Sequence, residues 1–292
     1  MAINALGFSI RLFLADGTPD GLRIAEKSNW VGRGLVCPRV SYPNVKKRAE
    51  FQKAGVYVLV GTTGDSEQQR IYIGEGDPTG PRLDTHFRNK DFWTSVITFV
   101  SKDDNLNKAH VQYLEARLVA LANEAKRCQV DNGNQPQLPS LSEADTAEVE
   151  GFLSEMLLVF PTLGVTAFEK PRARATSKTI LETNAKGLTA KGYESEQGFV
   201  VLAGSKSPLA TVPSVEQYVP YIIELRKTML EQGIFEAEEN HLILRQDYIF
   251  DSPSTAAAVM LARNANGRIE WKTPDGVTLK EIQEQAIASV TN

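Results

Sequence analysis

Two short segments, each combining glycine with a tyrosine, most constrain how this chain can fold. They read GVY at 55–57 and YIG at 72–74. The β-branched and aromatic run 55–60 and the run 70–74 predict two strands. The polar, turn-rich residues 61–69 between them predict a long loop. The pattern therefore indicates a β-hairpin that carries one tyrosine on each strand.

The residues after this hairpin extend the frame to a β-β-α-β-α order. A helix is predicted over 82–89 and a strand over 95–100. A long helix with an apolar stripe is predicted over 107–125, and a loop rich in Asn, Gly and Pro over 131–139. This order predicts an α+β fold.

Five polar residues on this frame have uses in phosphoryl transfer. Arg82 and His86 are four residues apart and so share one face of the first helix. The planar guanidinium of Arg82 can hold phosphate oxygens and stabilise charge in the transition state. Glu115, on the long helix, offers the hard oxygen ligand that Mg²⁺ prefers. Tyr57, Tyr72 or His86 could position a water molecule or take its proton.

Glu115 fits its helix poorly as a surface residue, because its neighbours Val111, Leu118 and Val119 are apolar. An acid on an apolar face is costly unless it is paired or bound to a metal. The alternative is a partly exposed glutamate that pairs with a nearby lysine or arginine. Taken singly, each of the five residues is more typical of a core tyrosine or a surface charge, whereas the ordered set is far more specific.

This ordered set resembles the GIY-YIG nuclease superfamily. The resemblance implies a small domain built on a three-stranded antiparallel sheet flanked by helices. It implies one Mg²⁺ (or Mn²⁺) ion held by Glu115, with Arg82 on the scissile phosphate and Tyr57 orienting or deprotonating the attacking water. Gly74 and Asn132 would lie at the substrate, with Asn134 as a rival for Asn132.

The chain also departs from the family pattern. Valine replaces the central isoleucine of the first motif, and 14 residues separate the two motifs, a longer gap than usual. A lengthened hairpin loop accounts for that gap without disturbing the site. A second histidine of some members has no counterpart near Phe92 and Trp93, which leaves the identity of the proton acceptor open.

The rest of the chain divides around this predicted nuclease domain, which spans 51–140. Residues 1–50 predict an N-terminal β extension, and residues 141–197 a helical segment and linker. Residues 198–292 predict a small α+β domain that recruits substrate or a partner. The segments GFVVLAGSKSP and DYIFDSPSTAAAVMLARNANGRIEWKTPDGVTL resemble a C-terminal domain of uncharacterised function that accompanies some bacterial GIY-YIG proteins.

Charge is unevenly distributed along a chain whose formal net charge is −4. The overall sign counts mildly against a nonspecific nucleic-acid binder. Residues 170–192 nevertheless carry a net +5. We predict that Lys170, Arg172 and Arg174 in this basic segment hold a phosphate backbone, with a solvated linker as the alternative.

The N-terminus lacks a secretion signal, and no run of 18 apolar residues predicts a membrane span. The two cysteines, Cys37 and Cys128, are far apart and predict reduced thiols in a cytoplasmic protein.

The sequence therefore predicts a metal-dependent endonuclease, with DNA favoured by family analogy. The alternatives are a binding module without catalysis and an RNA-directed nuclease. One active site cuts one strand at a time, so double-strand cleavage would need a homodimer or two visits.

Overall fold

The computed structural model describes residues 7–63, 66–170, 179–213, 215 and 218–290. The chain divides into two compact units, Met1–Glu169 and Lys170–Asn292. Each unit mixes strands and helices, so the predicted α+β class is confirmed at that level.

The N-terminal unit is built on one mixed sheet with the strand order β1-β2-β3-β6-β4-β5-β7 among the described residues. Every neighbouring pair is antiparallel except β5 and β7. The strands are β1 (Ile10–Leu14), β2 (Arg23–Lys27), β3 (Gly32–Pro38), β4 (Gly55–Thr63), β5 (Ser66–Gly76), β6 (Trp93–Ser101) and β7 (Gln129–Val130).

The three predicted strands of the 51–140 region are neighbours at the centre of this sheet, in the order β6-β4-β5. The sheet does not stop there, because β3 pairs with β6 along its whole length, from Gly32↔Ser101 to Pro38↔Ser95. The N-terminal strands are therefore part of the same sheet rather than a separate element. The sheet therefore has more strands than the three that were expected. The pairing of β3 with β6 joins segments about 60 residues apart, and local periodicity does not reveal a pairing over such a distance.

Helices cover both faces of this sheet, because β4 is buried on both sides. Val56 and Val58 face a core that includes Leu114 of the helix Lys108–Ala125 and Met156 of the helix Glu143–Val159. Tyr57 and Leu59 point the other way, into a core with Leu83 of the helix Gly80–Asn89. The helices are α1 (Tyr42–Val45), α2 (Gly80–Asn89), α3 (Lys108–Ala125) and α4 (Glu143–Val159).

Local capping fixes where the two long helices begin. The Asn107 side chain accepts the His110 backbone N–H at 3.0 Å and starts α3. Ser142 accepts the Asp145 N–H at 3.1 Å and starts α4. Capping side chains of this kind satisfy amides that have no partner inside the helix, so α3 begins close to the predicted position.

The C-terminal unit has two sheets among its described residues, in the orders β14-β10-β9-β8 and β11-β13-β12. Its strands are β8 (Leu181–Ala185), β9 (Leu188–Ser195), β10 (Gly198–Val201), β11 (Lys206–Pro208), β12 (Phe235–Ala237), β13 (His241–Leu244) and β14 (Tyr248–Phe250). Its helices are α5 (Tyr221–Glu231), α6 (Pro253–Leu261), α7 (Gly267–Glu270) and α8 (Leu279–Val290).

One prediction for this unit was wrong. Residues 181–195 form β8 and β9 rather than a linker, because Leu181, Thr183 and Ala190 bury one face of a mostly polar hairpin. Residues 241–250 form β13 and β14, which lie in different sheets. They are separated at Asp247, whose carboxylate accepts the Ala203 N–H at 2.8 Å.

In the C-terminal unit, Ser252 caps α6, and the fully buried Trp271 donates its indole N–H to the Pro253 carbonyl at 3.0 Å. Cys37 and Cys128 are free and buried, and burial raises the pKa of each thiol to about 12. Within the described residues, no helix combines the length and apolarity that a bilayer crossing requires.

Candidate active site

The two tyrosine motifs meet because of the strand register. Tyr57 on β4 pairs directly with Gly74 on β5, and both are buried. The Tyr57 ring lies across Gly74 so closely that a Cβ there would be 2.5 Å from the hydroxyl oxygen and 2.6 Å from Cζ. Glycine at position 74 is therefore required for the ring to lie flat against β5.

His86 on α2 contacts both tyrosines. Its Nε2 lies 2.9 Å from the Tyr57 hydroxyl, and its ring centroid is 4.7 Å from that of Tyr72. Burial, together with the charges of Arg82 and Lys90, lowers the pKa of His86 to about 4. Burial also raises the pKa of Tyr57 well above its usual value. The pair is therefore a neutral imidazole beside a protonated tyrosine at neutral pH.

Arg82 lies one helical turn before His86, with an exposed side chain. Partial burial opposes its charge, but the nearby Tyr57, Tyr72 and Glu75 outweigh this effect and raise the pKa of Arg82. The same guanidinium, through its charge and a hydrogen bond, opposes part of the rise that burial causes in the pKa of Tyr57. Arg82 is thus a permanent cation at the tyrosine pair, open to solvent on its outer side.

Glu115 on α3 is half-buried and carries an unusual carboxylate. Burial, and then the charge of Glu75, raises its pKa to about 7, although Arg82 and Lys108 act in the opposite direction. No described residue makes a hydrogen bond or ion pair with the Glu115 side chain. A poorly solvated carboxylate next to a second acid is stabilised by a bound cation.

Arg82 and His86 lie on α2 and Glu115 on α3, and these two helices pack on opposite faces of the sheet. Beyond Ile71, β5 has no strand partner on its outer side within the described residues. The Asn132 side chain replaces that partner, since it accepts the Ile73 N–H at 3.0 Å and donates to the Ile73 carbonyl at 2.8 Å. Asn132 thus holds the second motif in position, a role that differs from the substrate contact expected of it.

Sequence reasoning missed two charged residues at this edge. Glu75, directly after the second motif, is buried, and both of its oxygens accept hydrogen bonds from Lys108 Nζ at 2.6 and 2.7 Å. The available signal was a charged residue directly after the run 71–74, which has no charged side chain. Its partner was not deducible, because Lys108 lies 33 positions further along the chain.

Glu115 is the acid at this edge that could hold a divalent cation. No cluster of three or more His, Cys, Asp or Glu side chains suited to a metal exists among the described residues. Glu115 has an unused carboxylate, whereas Glu75 is occupied by Lys108. Mg²⁺ is commonly bound by one or two carboxylates with waters and substrate phosphates in the remaining positions, which agrees with this donor set.

The predicted basic contacts lie in the other unit. Lys170 is its first residue and is exposed. Arg172 and Arg174 lie outside the described residues. A phosphate-binding role for these three residues stays a prediction.

Comparison with known proteins bears only on the C-terminal unit. No curated protein and no solved structure matches this chain. Residues 181–283 match a family described as a domain of unknown function (DUF4357), so this part of the chain is similar to the uncharacterised domain that the sequence resembled.

Proposed function

We propose that the N-terminal unit is a divalent-metal-dependent endonuclease of the GIY-YIG type that hydrolyses phosphodiester bonds in nucleic acid, with DNA as the favoured substrate. One observation carries the proposal. Tyr57 and Tyr72 both contact His86, and the charges of Arg82 and Glu115 act on both tyrosines.

Arg82 binds the scissile phosphate in this mechanism. Its exposed guanidinium can donate two parallel hydrogen bonds to nonbridging oxygens. The negative charge that develops on those oxygens during attack is stabilised by a cation already held in place. Because the raised pKa keeps Arg82 charged, this contribution does not depend on pH in the neutral range.

Tyr57 and His86 prepare the attacking water. When His86 carries its proton on Nδ1, the Tyr57 O–H donates to Nε2, and the tyrosine oxygen is left as an acceptor for a water proton. His86 Nε2 can take the tyrosine proton as the water is deprotonated. In this proposal His86 on α2 is the proton acceptor, so no second histidine is needed.

Glu115 would hold the Mg²⁺ or Mn²⁺ ion with one carboxylate. When bound, such an ion polarises a phosphoryl oxygen and stabilises the leaving oxygen. The carboxylate of Glu115 would supply the negative charge that binds the ion. Asn132 holds β5, the strand of the second tyrosine motif, in position.

A second candidate is a nucleic-acid-binding module that does not cleave. Binding of DNA or RNA without any metal-dependent cleavage would support this candidate over the nuclease.

The test compares two exposed arginines of the same helix, Arg82 and Arg88. Labelled DNA and RNA duplexes and single strands are incubated with Mg²⁺, with Mn²⁺ or with EDTA. We expect Arg82→Met to lower the cleavage rate about 10²–10³-fold, as for loss of one donor to developing negative charge. Arg88→Met should cleave at nearly the wild-type rate. Equal rates in the two variants would contradict the role of Arg82.

A further inference from the structure

Lys108 lies beside the proposed active site but has no part in the mechanism above. It is the first residue of α3, and its side chain is 53% exposed. Its ammonium donates to both oxygens of Glu75, whose own side chain is only 10% exposed. A long, flexible cation is therefore held in one place by a buried acid.

The ammonium of Lys108 has one donor to spare. A lysine ammonium carries three N–H groups, and Glu75 accepts two of them. Lys108 makes no further hydrogen bond to the described residues. Lys108 and Glu115 are seven residues apart on α3, so they share one face of this helix, roughly 10 Å apart along its axis.

Glu75 suits an anchor better than a metal ligand. Both of its oxygens are occupied by Lys108 at short distances. Removal of this lysine would leave a buried, unpaired charge, which is costly. Lys108 thus presents a positioned ammonium at this sheet edge, at the N-terminal end of an 18-residue helix whose free amides also favour an anion.

We propose that Lys108 binds a nonbridging phosphate oxygen of the substrate strand adjacent to the scissile bond, and that Glu75 is a positioning residue that acts through Lys108. This inference rests on the proposed nuclease function. It adds a phosphate-contacting residue that neither tyrosine motif indicates.

The experiment measures the salt dependence of binding to a fluorescein-labelled 20-base-pair DNA duplex in EDTA, where no cleavage occurs. Each phosphate contact contributes about 0.9 to the slope of log affinity against log salt. We expect Lys108→Met to lose one such contact, so that its affinity deficit shrinks about 3.5-fold as salt rises from 50 to 200 mM. An unchanged slope would overturn the proposal.

Lys126 provides the matched control, since it follows the last residue of the same helix, roughly 27 Å from Lys108 at 1.5 Å per residue. Lys126→Met should keep the wild-type slope. The double variant Glu75→Gln/Lys108→Met removes the unpaired acid and tests the same slope without that instability.

Glu75 is tested by the same pair of changes. If it acts only through Lys108, Glu75→Gln weakens binding in the wild type but has no effect when Lys108 is methionine. An equal effect in both backgrounds would overturn the positioning role. If the wild type cleaves DNA but Lys108→Met has the wild-type slope of log affinity against log salt, only the inference about Lys108 is refuted. If Lys108→Met lowers that slope but the wild type shows no metal-dependent cleavage, the proposed hydrolysis is refuted and the phosphate contact of Lys108 remains supported.

Discussion

Substitution of Gly74 by alanine tests the arrangement of the two tyrosine motifs. The added Cβ would lie 2.5 Å from the Tyr57 hydroxyl oxygen, 2.6 Å from Cζ and 2.9 Å from Cε2. All three distances are well below van der Waals contact. Because Tyr57 is fully buried and packed between β5 and α2, its ring has no free space to enter without displacing a neighbour.

Two losses follow from this clash. Overpacking a close-packed core costs about 1–3 kcal/mol. For a unit the size of Met1–Glu169, each kcal/mol lowers the melting temperature by about 2–4 °C. Movement of the ring also breaks the 2.9 Å contact with His86. A displacement of about 1 Å can cost on the order of 10²-fold in rate.

Gly133→Ala is the control, because a Cβ at Gly133 would have no atom within 4 Å. Thermal unfolding and DNA cleavage are measured for both variants. Gly74→Ala should lose stability and activity, and Gly133→Ala should lose neither. Equal stability and equal cleavage in the two variants would refute the account of how Tyr57 is held.

Two further predictions concern stability. Asn132→Ala should destabilise the N-terminal unit by about 1–2 kcal/mol in urea unfolding, because the Ile73 N–H and carbonyl both lose their partner. An unchanged free energy of unfolding would mean that Asn132 does not hold β5. Gly151→Ala should stabilise the unit by about 0.5–1 kcal/mol, since Gly151 lies within α4 with open space around it; a loss of stability would show that its surroundings are not open.

The core of the candidate site could be predicted because its signals are local. Tyr57 and Tyr72 lie on strands with strong β-branched patterns, and Arg82 and His86 share one helical face. The end of β5 was harder to interpret. Asn132 and Glu75 act through partners 59 and 33 positions away, and no periodic pattern encodes such a distance.

The sheets were predicted less well than the helices for the same physical reason. A helix closes its hydrogen bonds within four residues, whereas β3 finds its partner in β6 after the whole hairpin has intervened. The hairpin of β8 and β9 was missed because several of its buried positions hold small or polar residues, such as Thr183, Ala190 and Gly192, so its large buried residues Leu181 and Tyr193 form no clear alternation.

The most direct test of the central claim is nicking of supercoiled plasmid by Glu115→Ala and by Glu124→Ala. Both glutamates lie on α3, and Glu124 is exposed near its other end. The account predicts nicking by wild type and Glu124→Ala with Mg²⁺ or Mn²⁺, none with EDTA, and none by a folded Glu115→Ala. Metal-dependent nicking at the wild-type rate by Glu115→Ala would contradict the assignment of Glu115 to the metal and, with it, the proposed mechanism.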